Sequence, residues 1–156
     1  GYLVEEKNKK VAKSLRTKVT QIYSGGEPVE EILPGGSMAL GTTLDPAIVK
    51  SDSLTGSVVG LPGKVPSVHY QVNLETFLLE RVVGTKDETE VKPLAKTEIL
   101  MLNCNSAATV GVVLDPSKKN TICVLKKPIC AKPGDRITIS RKVGDRFRLI
   151  GYGILK

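Results

Sequence analysis

The apolar stretches of this chain are short. The longest useful runs are four to six residues, and Gly- or Pro-containing turns break them repeatedly. That is strand length, far below the roughly 18 uninterrupted apolar residues of a membrane span. The chain has no Trp, and Phe77 and Phe147 are its only phenylalanines. Its core must therefore rest on Val, Leu and Ile, of which the β-branched pair favours pleated structure.

Strands dominate a pass along the 156 residues. Ser14–Tyr23 reads as a strand with imperfect alternation. Turns follow at Ser24-Gly25-Gly26 and, after Val29–Leu33, at Pro34-Gly35-Gly36. Ser37–Leu40 reads as a short apolar strand ended by Gly41. Leu44–Lys50, with Asp45-Pro46, reads as a brief helical turn. Leu54–Leu61 reads as another strand. Pro62-Gly63-Lys64-Val65-Pro66 is stiff punctuation, where a domain boundary is expected, giving domains 1–64 and 65–156.

Beyond it the alternation sharpens. Val68–Leu74 places Val68, Tyr70, Val72 and Leu74 against His69, Gln71 and Asn73. Thr76–Val83 fits helix or strand, and Thr85–Lys92 reads as an exposed loop. Strands are expected over Thr97–Cys104, Ala108–Leu114, Thr121–Leu125, Ile129–Ala131, Arg136–Arg141 and Phe147–Ile154. About eight short strands with Gly and Pro turns predict an all-β barrel or sandwich, and barrel closure removes exposed edges. The first 64 residues offer only about four strands, where a small closed barrel needs roughly five or six. An incomplete first barrel, with its opening piece upstream, is expected.

Charge is uneven. The formal charge is +7, yet residues 1–64 hold 8 basic and 7 acidic residues, whereas the last 39, from Lys118, hold 11 basic and 2 acidic. A basic field of this kind attracts polyanions and makes their binding salt-sensitive. It also fits a solvated basic face or an acidic protein partner.

Catalytic chemistry is hard to assemble from these residues. A phosphate-cradling loop reads G-x-x-x-x-G-K-[ST], but Gly63-Lys64 is followed by Val65. The only histidine, His69, lies on the polar side of a strand and reads as a surface or interface residue rather than a general base. Asp45 and Asp52 pair only by accident of folding. No Ser/His/Asp set can be built. Cys104, Cys123 and Cys130 sit in apolar runs without a C-x-x-C pair and read as buried free thiols of a reducing compartment, not metal ligands. The opening Gly1–Val4, followed by Glu5, Glu6 and lysines, does not read as a secretory signal. No catalytic, cofactor or metal residue is assigned, and a cytoplasmic location is expected.

Two stretches carry binding chemistry. In Pro34–Thr43 the adjacent glycines permit positive φ and close approach by a backbone or a flat ligand, with Met38, Ala39 and Leu40 as an apolar wall. The stretch fits a hairpin turn with a core strand, or a shallow site for a base or an acyl group. Near the end, Arg141, Lys142, Arg146 and Arg148 surround the Gly144-Asp145 turn. Alternation predicts Arg146 and Arg148 on one face and Phe147 and Leu149 on the core face. Such cations contact RNA phosphates without reading sequence, or simply stand in solvent.

Four strings taken together carry a family resemblance. They are Pro34-Gly35-Gly36 through Gly41-Thr42-Thr43-Leu44-Asp45-Pro46; Leu78-Leu79-Glu80-Arg81-Val82-Val83-Gly84; Glu98-Ile99-Leu100-Met101-Leu102-Asn103; and Ile139-Ser140-Arg141 through Arg148-Leu149-Ile150-Gly151-Tyr152-Gly153. The chain resembles the C-terminal part of the gamma subunit of archaeal and eukaryotic translation initiation factor 2, over nearly its whole length. The short Thr85–Lys92 loop leans toward the archaeal form.

The resemblance implies a three-domain GTPase related to elongation factor Tu, with a GTP-binding domain followed by two β-barrels. This chain would hold most of barrel two and all of barrel three, without the GTP domain. GTP and Mg2+ would then belong to the parent protein, and GTP hydrolysis would lie outside this segment. The family carries methionylated initiator tRNA to the small ribosomal subunit. By similarity, Gly36, Ser37, Met38, Ala39, Leu40 and Gly41 would form one wall of the pocket for the tRNA end. The alpha subunit would dock on barrel two and the beta subunit on the GTP domain. Arg141, Lys142, Arg146 and Arg148 are candidates for RNA phosphates. A stand-alone β-barrel RNA-binding module, the selenocysteine-specific elongation factor and a scaffold protein are the competing readings.

Overall fold

The computed structural model describes residues 2–6, 9–84, 90–117 and 119–156. Of the expected Thr85–Lys92 loop, residues 85–89 lie outside the described residues, as does Lys118. The fold is all-β, with one closed six-stranded barrel and smaller open sheets before it.

The first 64 residues build two open sheets. β1 (Tyr2–Glu6) and β2 (Lys9–Lys13) pair antiparallel, with Val4 opposite Val11. β3 (Val19–Ser24), β4 (Glu27–Val29) and β5 (Ala39–Thr42) form a sheet in the order β4-β3-β5. The expected helical turn is α1 (Pro46–Val49), whose N-cap Asp45 accepts a 2.8 Å bond from the Ala47 N–H. Asp45 is therefore a cap, with Pro46 at a position that needs no N–H donor.

Of two strands expected in this region, one forms only over its second half, as β3, and the other does not form. Ser14–Tyr23 is not one strand, because β2 ends at Lys13 and β3 begins at Val19. Residues 14–18 run beyond the β3–β5 ladder, and Thr17 Oγ1 and the Lys18 carbonyl both accept from the Thr43 N–H. Leu54–Leu61 folds into turns. Thr55 N–H donates to Asp52 O and Ser57 N–H to Leu54 O, so these donors are used locally. Gly56 adopts φ +80 and packs so closely on Ala107 that an added Cβ would lie 2.9 Å from its Cα. A left-handed residue in this crowded spot ends an extended ladder.

The barrel is built from β6 (Val68–Leu78), β7 (Ile99–Cys104), β8 (Ala107–Pro116), β9 (Asn120–Cys130), β10 (Arg136–Val143) and β11 (Arg146–Leu155). It closes in the order β10-β11-β6-β9-β8-β7, with every neighbouring pair antiparallel. Thr76–Leu78 continues β6, which resolves the helix-or-strand ambiguity there. Ile129 belongs to β9 rather than to a separate strand.

Among the described residues, every buried hydrophobic side chain lies at Val72 or later. Leu74, Leu100, Leu102, Val113, Ile137, Ile139 and Ile150 fill the barrel. Two glycines make room for them. A Cβ on Gly111 would lie 2.6 Å from Leu102 Cδ1, and one on Gly153 2.7 Å from Leu74 Cβ. Small and large residues thus alternate to fill a narrow interior.

One strand departs from simple alternation. Ile139 pairs with Gly151 but Ser140 pairs with Leu149, so Ile150 is an extra residue and a bulge. The bulge inverts the side-chain parity of the first half of β11. Phe147 and Leu149, expected on the core face, are instead exposed at 38% and 37%, and Ile150 is fully buried.

Candidate nucleic-acid interface

The Pro34–Thr43 stretch starts as a turn with Gly35 at φ +114 and becomes β5 at Ala39. Leu40 pairs with Ile22 and Ala39 with Tyr23, which fixes the strand against β3. Gly36, Ser37, Met38 and Ala39 are exposed, whereas Leu40 and Gly41 are half-buried. Gly41 sits close to β3, where a Cβ would meet Thr20 Oγ1 at 3.0 Å. The six residues Gly36 to Gly41 therefore form one continuous edge with an open backbone and an apolar Met38. An open groove on the same sheet is lined by Val19–Ile22 and Pro28–Glu30, and none of the residues Gly36 to Gly41 lines it.

The second stretch is the β10–β11 hairpin, which turns at Gly144 with φ +60. Its four cations have different surroundings. Lys142 and Arg146 are exposed. Arg148 is half-buried, and its Nη1 would lie 2.8 Å from a Cβ on Gly84, so its guanidinium rests on that turn.

Arg141 is held within the chain. Its Nε donates to Glu98 Oε1 at 2.5 Å and its Nη2 to Glu98 Oε2 at 3.1 Å. Nη1 donates to Lys92 O at 2.7 Å and Nη2 to Pro93 O at 3.0 Å. This planar fork, 17% exposed on both partners' side chains, is a clamp across the end of the barrel. Sequence pattern singled out Arg141 but not its partner Glu98, which lies just before β7.

The thiols are free and lack the surroundings of reactive cysteines. Burial pushes the Cys123 thiol up to about 11, and the Glu98 carboxylate adds to the effect. Burial likewise raises Cys104, with Asp135 and Cys130 contributing, and raises Cys130. His69 is half-buried with Nε2 3.0 Å from Ala131 O. Among the described residues no group of three His, Cys, Asp or Glu side chains gathers to hold a metal. Nor do these residues fit a nucleotide phosphate. Gly63 and Lys64 lie in a turn closed by the Lys64 N–H on Leu61 O, not at the start of a helix. Among the described residues, no helix is long and apolar enough to cross a membrane.

The two stretches lie in different sheets, one an exposed glycine-containing edge and the other a hairpin with a pair of exposed cations. Known proteins share much of the sequence. Over all 156 residues the chain is 50% identical to the translation initiation factor 2 subunit gamma of Methanothermobacter thermautotrophicus, covering 38% of that protein. The same subunit of Methanocaldococcus jannaschii is 47% identical over the same span, again with 38% covered. The chain thus spans well under half the length of these curated relatives.

Among solved structures, the apo form of translation elongation factor SelB from Methanococcus maripaludis superposes with a TM-score of 0.59 at 15% identity. That match covers 90% of this chain and 32% of SelB. A bacterial selenocysteine-specific elongation factor gives 0.57 at 18%, covering 88% and 20%. At such identities the likeness shows the fold alone. The family described as initiation factor eIF2 gamma, C terminal, matches residues 70–155, which is most of the closed barrel and more than half of the sequence. The chain therefore belongs to the initiation factor eIF2 gamma family.

Proposed function

We propose that the chain is the two-barrel part of a GTP-dependent translation initiation factor that delivers methionylated initiator tRNA to the small ribosomal subunit. Residues 1–64 act as its second domain and 65–156 as its third. GTP and Mg2+ are held by another domain of the parent protein, and this segment supplies no catalytic residue. The alignment carries this reading: half the residues are identical to a translation initiation factor 2 gamma subunit along the whole chain.

In this reading Gly36 to Gly41 form the wall against the tRNA end. Their exposed backbone and small Ala39 leave room for a flat adenosine or an aminoacyl group. Lys142 and Arg146 contact RNA phosphates, as exposed cations on a basic domain do. Arg141 contributes only through the shape of the hairpin. The alpha subunit docks on residues 1–64 and the beta subunit on the GTP-binding domain, in a cytoplasmic heterotrimer.

The test is a chimaera in which this chain replaces the matching segment of the Methanothermobacter thermautotrophicus gamma subunit. Filter binding should show methionylated initiator tRNA retained with GTP and released with GDP. Loss of that retention on Ala39→Arg, with GTP binding intact, supports the wall assignment. A chimaera that binds GTP but holds every RNA equally would instead favour a general RNA-binding module.

A further inference from the structure

The outer face of the β10–β11 hairpin is laid out in two columns. The register pairs Lys142 with Phe147, Ser140 with Leu149, Thr138 with Tyr152 and Arg136 with Ile154. Paired side chains share a face. That face is the outer one, because the residues between them, Ile137, Ile139 and Ile150, are fully buried.

The column on β11 is apolar. Phe147 and Leu149 are exposed on it because the bulge at Ile150 turns them outward. Tyr152 continues it, stacked on Phe77 with ring centroids 5.1 Å apart, and the guanidinium of Arg136 lies 4.2 Å from the Tyr152 centroid. The column on β10 is polar. Lys142 and Arg136 stand at its two ends, roughly 20 Å apart at the rise of a strand, with the hydroxyls of Ser140 and Thr138 between them. Among the described residues, neither hydroxyl has a hydrogen-bond partner.

The acids around this face are committed or lie off the columns. Glu98 is held by Arg141, and Asp135 accepts from the Lys132 N–H. Glu75, opposite Ile154 on β6, has Lys156 Nζ at 4.0 Å. Asp145 stands in the hairpin turn, beyond the Lys142–Phe147 pair.

This layout selects a ligand. Cations at both ends of a hydroxyl-bearing column suit repeated negative charge, and an exposed ring beside them suits a flat base. The backbone of β10 is committed to β11 and β7 over Ile137–Arg141, so a peptide cannot add there as a strand. A duplex keeps its bases in its own stack, whereas an unpaired strand offers phosphates and bases together.

We propose that the outer face of the β10–β11 hairpin is a track for an unpaired stretch of RNA, with phosphates along Lys142, Ser140, Thr138 and Arg136 and a base stacked on Phe147. The inference rests on the reading of Lys142 as a phosphate contact and adds a far end, Arg136, and a base platform.

The experiment measures fluorescence anisotropy of a labelled ten-nucleotide oligoadenylate against the chain, and of an abasic oligomer with the same number of phosphates. The wild-type chain should bind oligoadenylate at least about tenfold more tightly than the abasic strand, given the usual worth of base–aromatic stacking. Phe147→Ala should lower oligoadenylate binding to near the abasic level with an unchanged salt slope, and Phe147→Trp should keep it. Arg136→Gln should weaken both oligomers and flatten the salt slope by about one. Equal affinity of the wild-type chain for the two oligomers overturns the base platform alone, and binding of neither overturns it together with the phosphate reading of Lys142. Full affinity in Phe147→Ala, or an unchanged slope in Arg136→Gln, also overturns the track. The abasic comparison uses the unaltered chain, so it decides the matter even where a variant does not fold.

Discussion

Arg141 on β10 grips Glu98, 43 residues earlier, through the Nε–Nη2 edge of its guanidinium, and its Nη1 and Nη2 also donate to the carbonyls of Lys92 and Pro93. The pair ties the segment entering β7 to the β10–β11 hairpin at one end of the barrel. Cutting it leaves a poorly solvated carboxylate and two carbonyls without their donor. Arg141→Ala should lose about 3 kcal/mol of unfolding free energy, the scale for breaking a largely buried ion pair. Arg141→Lys should recover only part of it, because an ammonium cannot fill the fork. Urea melts of both variants check this.

How far this was legible follows from particular residues. Val72, Leu74, Leu100, Leu102, Ile137 and Ile139 alternate with exposed or half-buried neighbours, and the barrel strands were readable for that reason. Leu54–Leu61 looked like a strand because its composition is apolar, yet Gly56 in a left-handed conformation and the local turn bonds decide its path. The faces of Phe147 and Leu149 were inverted by the bulge at Ile150, a single-residue event that composition does not signal. The Arg136–Tyr152–Phe77 stack was invisible because its members are distant in sequence and meet only when β11 closes on β6. The glycine-rich edge and the basic hairpin were legible as strings, but not which of the cations were committed elsewhere.

Closure of the barrel depends on a glycine. A Cβ on Gly151 would lie 2.3 Å from the Phe77 carbonyl oxygen and 2.9 Å from Leu78 Cα, both backbone atoms of the neighbouring strand. Neither can swing aside as a side-chain tip would. Gly151→Ala should force β11 off β6 and cost about 2 kcal/mol or more, at the upper part of the overpacking range. Thermal unfolding would read the loss, and amide exchange should rise first along the β6–β11 ladder.

The buried thiol of Cys123 sets a limit on alkaline stability. Its folded pKa is pushed up to about 11, above the ordinary thiol value of 9.0 that holds in the unfolded chain. Between these values the unfolded chain sheds the proton and the folded chain keeps it, so unfolding is increasingly favoured as pH rises. The stabilising effect is whole below about pH 9 and is lost on the way to about pH 11. Cys123→Ala should melt with a shallower fall over that interval than the wild type, the difference between the two curves being the quantity of interest. In the native protein a thiol reagent at pH 8 should leave Cys123 untouched until denaturant is added.

The two exposed cations of the hairpin should act on affinity without acting on stability. Lys142 and Arg146 are exposed, whereas Arg141 is clamped. Each phosphate contact releases counterions and adds about one to the slope of log affinity against log salt. Arg146→Gln and Lys142→Gln should each weaken RNA binding at low salt and flatten that slope by about one, with melting temperature unchanged. Arg141→Gln should do the reverse, lowering the melting temperature while leaving the slope of the folded protein as it was. Salt titrations of RNA binding beside thermal melts for the three variants separate the roles. A slope that falls equally for all three would mean that the clamp opens when RNA binds.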